Sequence, residues 1–312
     1  MHGWMRWLRI AVTALTIGVL FHKYPPSEVV AIVRTVGAPL FATVVVVYFG
    51  ALALMTWKWA LLLPGVPMRT LAHCTLAACF YALLPGGQLG GEIAKALVVR
   101  ARHPTVPGVV SSILLDKVTG LLGLLFVAVC ALTLSSATVP FWEYMVIAGG
   151  TAACMGSVVF ARPLAALLSR WQPASPRLAH AWAGLLDALR EVGAFAGNHR
   201  GLATTLVLGF AGQAVAVGCY LLFAPALGIH LPAETLAGAV AVANLTALVP
   251  ISIAGFGVRE AGLVFLLTTQ HHVPGAQAFA LSLTAMALFL VPALVGGALE
   301  LRKLAARGAA VR

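Results

Sequence analysis

Leu248-Val249-Pro250-Ile251-Ser252-Ile253-Ala254-Gly255-Phe256-Gly257-Val258-Arg259-Glu260 is the stretch on which the reading of this chain turns. An apolar run is stopped by Pro250, opened by Gly255 and Gly257, and followed at once by the ionisable pair Arg259 and Glu260. The first half holds a stretch of the same grammar, Leu83-Leu84-Pro85-Gly86-Gly87-Gln88-Leu89-Gly90-Gly91-Glu92. Proline removes a backbone donor and glycine admits open or left-handed backbone, so each stretch interrupts a helix. Interrupted hydrophobic segments at corresponding places in two halves point to a transporter-type site near the middle of a membrane.

The composition agrees. The 312 residues are 61% hydrophobic and 9% charged, against roughly 25% charged in an ordinary soluble domain. Ala and Leu dominate and strand-type alternation is missing, which favours membrane helices over a barrel. The expected fold is an all-α polytopic membrane protein of about eight hydrophobic segments in one integral-membrane domain. A net charge of +11 would suit nucleic acid, but Lys and Arg concentrate in alternate loops, the pattern of membrane orientation. Nucleic acid is therefore not an expected partner; membrane lipids are. The five cysteines, Cys74, Cys79, Cys130, Cys154 and Cys219, lie inside apolar segments and read as small buried hydrophobes. Neither a metal site nor a cofactor is indicated, and no Walker-type phosphate loop or nucleophile constellation occurs. The expectation is a non-enzymatic protein.

The apolar runs are Leu8–Phe21, Val36–Trp57, Thr70–Leu84, Ser111–Leu134, Phe141–Phe160, Leu202–Ala224, Ala233–Val249, Val258–Thr269 and Ala276–Leu299. Those that flank the breaks are short. Thr70–Leu84 spans about 22 Å as helix against a hydrocarbon core of roughly 30 Å. Arg6 and Arg9, Lys58 and Arg69, Lys95 to Arg102, the 161–201 region and the C-terminal Arg302 to Arg312 carry most of the positive charge. Ser135–Pro140, Pro225–Pro232 and Gln270–Gly275 carry none. Both termini and 161–201 are thus expected in the cytoplasm of a bacterial cell, with the chain in its inner membrane. In this topology 70–95 enters from inside and 233–269 from outside, each as a re-entrant hairpin. The halves, approximately 1–134 and 141–300, form an inverted repeat. Two full crossings by 233–269 would preserve the same charge parity.

Between them, Arg177–Gly197 places Leu178, Trp182, Leu185, Leu186, Leu189 and Val192 at helical spacing. This predicts an amphipathic helix on the membrane surface, or a surface for a partner such as a lipid-biosynthesis enzyme.

The motif Pro250 to Ala261, with Gly255, Gly257, Arg259 and Glu260 in it, resembles the signature of the lysylphosphatidylglycerol synthase transmembrane (flippase-like) family. Pro85-Gly86-Gly87 to Glu92, with Lys95, resembles that family's first motif. Asp116-Lys117 stands where the family usually has a Glu-Arg pair, and Gln88 where an acidic residue is common. The resemblance implies a stand-alone member without the synthase domain that translocates or handles a polar-headgroup lipid: a phospholipid, aminoacyl-phospholipid, hopanoid or glycolipid. A non-transporting scaffold or a small-solute transporter are the alternatives.

The residues themselves suggest how contact would be made. Arginine's planar fork suits a phosphodiester, and the Gly255–Gly257 turn aims helix N-terminal N–H groups the same way. Glu260 would balance Arg259. Glu92 and Lys95 share a helical face past Gly91, and Gln88 lies in the turn. Asp116 and Lys117 point about 100° apart, so each is expected to meet a charge on a hairpin, Asp116 with Lys95 for example. All seven are candidate substrate-binding residues. Asn244 reads as a buried hydrogen-bonder and His271-His272 as a solvated turn. Trp57-Lys58-Trp59 reads as an aromatic belt at a membrane boundary.

Overall fold

The computed structural model describes residues 3–84, 87–103, 108–135, 140–171, 173, 175–247, 252 and 255–310. Among them all regular secondary structure is helical. In chain order the helices are α1 (Gly3–Lys23), α2 (Pro26–Arg34), α3 (Gly37–Leu62), α4 (Met68–Ala82), α5 (Gly87–Arg102), α6 (Val109–Leu134) and α7 (Phe141–Val159). They continue as α8 (Ala161–Leu168), α9 (Pro176–Ala196), α10 (His199–Phe223), α11 (Ala233–Thr246), α12 (Val258–Thr269) and α13 (Gly275–Ala310). Each of the nine apolar runs corresponds to one helix. Local chemistry sets many of the ends. Pro26 opens α2 with its φ already helical, Glu28 and Arg34 complement the helix dipole, and the Asn198 side chain accepts the Gly201 N–H at 3.1 Å to start α10.

Four helices are long and apolar enough to cross a bilayer: α3, α6, α10 with the 3₁₀ turn after it, and α13 to Lys303. A fifth span results if α7 and α8, bent by 63° at their junction, count as one. The protein is thus a polytopic helical membrane protein. In lipid, helices gain little by hiding apolar surface from one another, so close approach of small residues holds them together. At the crossing of α6 and α10, a Cβ on Gly123 would lie 2.5 Å from the Gly209 carbonyl carbon. At that of α4 and α13, a Cβ on Gly296 would lie 2.0 Å from the Leu76 carbonyl oxygen.

The two breaks join short helices that fold back on themselves. In the first, a Cβ on Gly91 of α5 would meet the Ala78 carbonyl of α4 at 2.6 Å, so glycine is required where the arms touch. In the second, Gly262 of α12 faces Thr246 of α11, while Gly255 sits at φ +81° with no room for a Cβ beside Ala247. The arms have 15, 16, 14 and 12 residues, so none exceeds about 24 Å. Pro85, Gly86 and Pro250 lie outside the described residues. The inner ends of the two hairpins meet. Ala82 and Leu83 of the first pack with Phe256 of the second and with Met286, Phe289 and Leu290 of α13. The Phe256 and Phe289 rings make an edge-to-face contact at 5.6 Å.

The packing is reciprocal: α3 runs along α10, α4 lies on α13, and α11 lies on α6. Each hairpin therefore leans on the last long helix of the opposite half.

Helix α9 forms as its periodicity predicts, but its apolar face turns onto the protein as well as outward. Leu186, Ala188 and Val192 are buried, and Val192, with Leu189 and Phe195 alongside, joins a cluster with Trp59, Leu71, Val99 and Ile113. Ser111 at the start of α6 donates to Glu191, and Trp182 donates to the Leu168 carbonyl at 3.3 Å. Leu178 and Leu185 remain exposed. The helix is anchored on α6 and α8 rather than lying free on a surface.

Candidate functional site

Ionisable groups gather at two levels along α3, ten residues or about 15 Å apart. The deeper level, near the middle of the helix, is built on Arg259 and Glu260. Gly257 adopts φ +86° and ends the break against Thr13 and Thr16 of α1, so α12 starts at Val258. Glu260, in its first turn, folds back to accept the Gly257 N–H at 2.6 Å, half of a capping box. The other carboxylate oxygen takes Arg259 Nη2 at 2.7 Å and Nε at 3.1 Å. The guanidinium also lies over the Phe256 ring, 5.6 Å from its centroid. Tyr48 of α3 and Tyr220 of α10 lie near the guanidinium.

Glu260 is fully buried, whereas Arg259 keeps 14% of its side chain accessible. Glu260 thus holds the turn and neutralises Arg259; of the two, only Arg259 has a surface to offer.

The second level lies one turn from the end of α3. Lys58 Nζ sits 3.0 Å from Asp116 Oδ1 and donates to the Asp116 carbonyl at 2.6 Å. Small residues make room for it: Gly120 lies against Nζ and Gly209 against Cδ. Asp116 Oδ2 also faces Lys95 at 3.6 Å, the contact expected from the sequence. Lys95 reaches Glu92 at 3.3 Å on its own helix and rests on the Trp59 ring at 4.9 Å. Lys117 completes the chain with Glu92 at 2.6 Å. Five charged groups from α3, α5 and α6 therefore form one alternating network. Asp116 and Lys117, adjacent in sequence, do point to different partners.

Lys58 and Trp59 depart from the belt reading. Lys58 is 1% exposed and Trp59, equally buried, donates to Ser112 Oγ at 3.2 Å. Only Trp57 is exposed. The apolar run continues through Leu63, so Lys58 falls inside the helix rather than at its edge, and that continuity is the local signal for burial. Tyr48 and Tyr220 gave no local signal at all.

A third cluster joins α4 to α13: Glu300 binds His73 Nε2 at 2.6 Å, Lys303 at 2.6 Å and the Tyr81 hydroxyl at 3.3 Å, and Lys303 also meets His73. Gln88 lies in the first turn of α5, its side chain outside the described residues. Asn244 is half-buried near the end of α11, where its carbonyl accepts the Ala247 N–H. His272 is exposed at φ 53°, and burial, then His272, lowers the His271 pKa. Among the described residues no group of three His, Cys, Asp or Glu could hold a metal ion.

Short apolar helices with paired charges beside them, set among long spans, define a multi-pass helical membrane protein. The chain belongs to the family described as the lysylphosphatidylglycerol synthase TM region, whose model matches residues 6–297. No curated protein and no solved structure matches it.

Proposed function

We propose that the protein translocates a polar-headgroup lipid across a bacterial inner membrane, with both termini cytoplasmic, and that it is a transporter rather than an enzyme. The observation that carries this reading is the meeting of the two hairpins at Ala82 and Phe256, with a charge network beside each. Irregular backbone and ionisable groups at membrane depth are tolerated only against protein or water, and they mark transport paths. The reciprocal packing of α4 on α13 and α11 on α6 supports an inverted repeat. Arms of at most about 24 Å support hairpins that enter and leave on one side.

In this reading the headgroup passes between the levels of Lys58 and Tyr48 while the acyl chains stay in lipid. Arg259, Lys95, Asp116, Lys117 and Glu92 line or shape that passage, and Glu260 holds Arg259 in place. Reconstitution into liposomes holding a fluorescent phospholipid, with reductant added outside, tests it. Faster loss of inner-leaflet fluorescence than in empty liposomes is expected, and Arg259→Ala should slow it. Equal rates with and without protein would refute the proposal.

A further inference from the structure

We infer that the lipid handled here carries a net negative, phosphate-bearing headgroup without a compensating amine, and that Lys117 is the group that receives it. The inference rests on the translocation reading and narrows it to a substrate class.

Each carboxylate at the two levels is engaged by the protein's own groups. Glu260 is closed between Arg259 and the Gly257 N–H. Asp116 is held by Lys58 and Lys95, and Glu92 by Lys95 and Lys117. A headgroup ammonium that took one of these carboxylates as its counter-charge would strand a buried lysine or arginine in a low-dielectric setting. Glu300 is likewise occupied by His73 and Lys303. Glu143, at the start of α7, belongs to neither level; it is buried beside Gln270, with Oε1 lacking a hydrogen-bond partner.

The cations are differently placed. Lys58 and Lys95 against Asp116 and Glu92 make a neutral buried set of four. Lys117 is the surplus charge. Its side chain is 52% exposed, whereas the other four range from 1% to 16%. It can leave Glu92 without stranding that carboxylate, because Lys95 stays 3.3 Å away. A flexible stem with a compact ammonium is suited to track a moving phosphate. The phosphate replaces Glu92 as the partner of Lys117, and the network behind it keeps its balance.

The test uses the full chain in phosphatidylcholine liposomes with trace fluorescent phosphatidylglycerol, lysyl-phosphatidylglycerol or phosphatidylcholine, and measures inner-leaflet loss of each. Phosphatidylglycerol should move fastest. Lys117→Gln should slow it about fivefold, the scale of one partly exposed ion pair, and Lys117→Arg should restore it. Equal or faster movement of the lysyl lipid would overturn the inference, as would an unchanged phosphatidylglycerol rate in Lys117→Gln. In parallel, thermal unfolding of the detergent-solubilised protein is monitored with short-chain phosphatidylglycerol, its lysyl ester, or inorganic phosphate. Stabilisation by phosphatidylglycerol that Lys117→Gln removes would uphold the anionic site even if no lipid were translocated, in which case only the transport reading would fall. Equal stabilisation by inorganic phosphate, or greater stabilisation by the lysyl ester, would overturn the assignment.

Discussion

Glu260→Gln is the most informative single change for the architecture. The wild-type carboxylate is fully buried, accepts two hydrogen bonds from Arg259 at 2.7 and 3.1 Å, and caps α12 through the Gly257 N–H at 2.6 Å. Glutamine keeps the shape and one oxygen for the cap but removes the charge. Leaving one partner of a buried pair uncompensated costs about 3–5 kcal/mol, and an unpaired arginine at membrane depth costs roughly 2.5–3.5 kcal/mol on insertion scales. These describe the same loss, so about 3 kcal/mol is expected, a shift of more than a hundredfold in the unfolding equilibrium. Tryptophan fluorescence during unfolding in mixed micelles measures it. The double variant Arg259→Met/Glu260→Gln removes the stranded charge and should recover most of the stability. A Glu260→Gln protein within about 0.5 kcal/mol of wild type would refute the claim that Glu260 neutralises Arg259 and holds the turn before α12.

Other perturbations are governed by the same physics. Asp116→Asn leaves Lys58 and Lys95 without their shared counter-charge and should destabilise by about 3 kcal/mol in the same titration; adding Lys58→Met should recover part of it. Gly123→Leu should abolish monodisperse elution because its Cβ would already collide with Gly209, whereas Gly149→Ala, with nothing within 4 Å, should be neutral or stabilise by up to about 1 kcal/mol. Glu300→Gln should weaken the attachment of α4 to α13 by about 1–3 kcal/mol, read as a lower midpoint of thermal unfolding.

The sequence is legible where the decisive chemistry is local. Val258–Thr269 is a helix with the bounds read from its run, because Gly257 ends the break and Glu260 caps the first turn of α12. The helix at 176–196 appears within one residue of the stretch predicted from periodicity. The short arms at both breaks, and the meeting of Asp116 with Lys95, come from Pro, Gly and the cost of an unpaired charge in lipid. What escapes is what depends on distant partners. Lys58 meets Asp116 across 58 positions and is recognisable only once α3 and α6 are packed. His73 and Glu300 are 227 positions apart. Likewise, which apolar residues of α9 face the protein depends on where α6 and α8 lie, so the periodicity predicts the helix but not its seat.

A mid-membrane site requires the two hairpins to enter from opposite faces. In a background lacking the native cysteines, single cysteines at the exposed positions Arg69, Arg102, His230 and His272 are labelled with a membrane-impermeant maleimide in intact cells and in inverted vesicles. Positions 69 and 102 should react only in inverted vesicles, and 230 and 272 only in intact cells. Labelling of 230 and 272 from opposite sides would make the second break part of two full crossings and contradict the mid-membrane site.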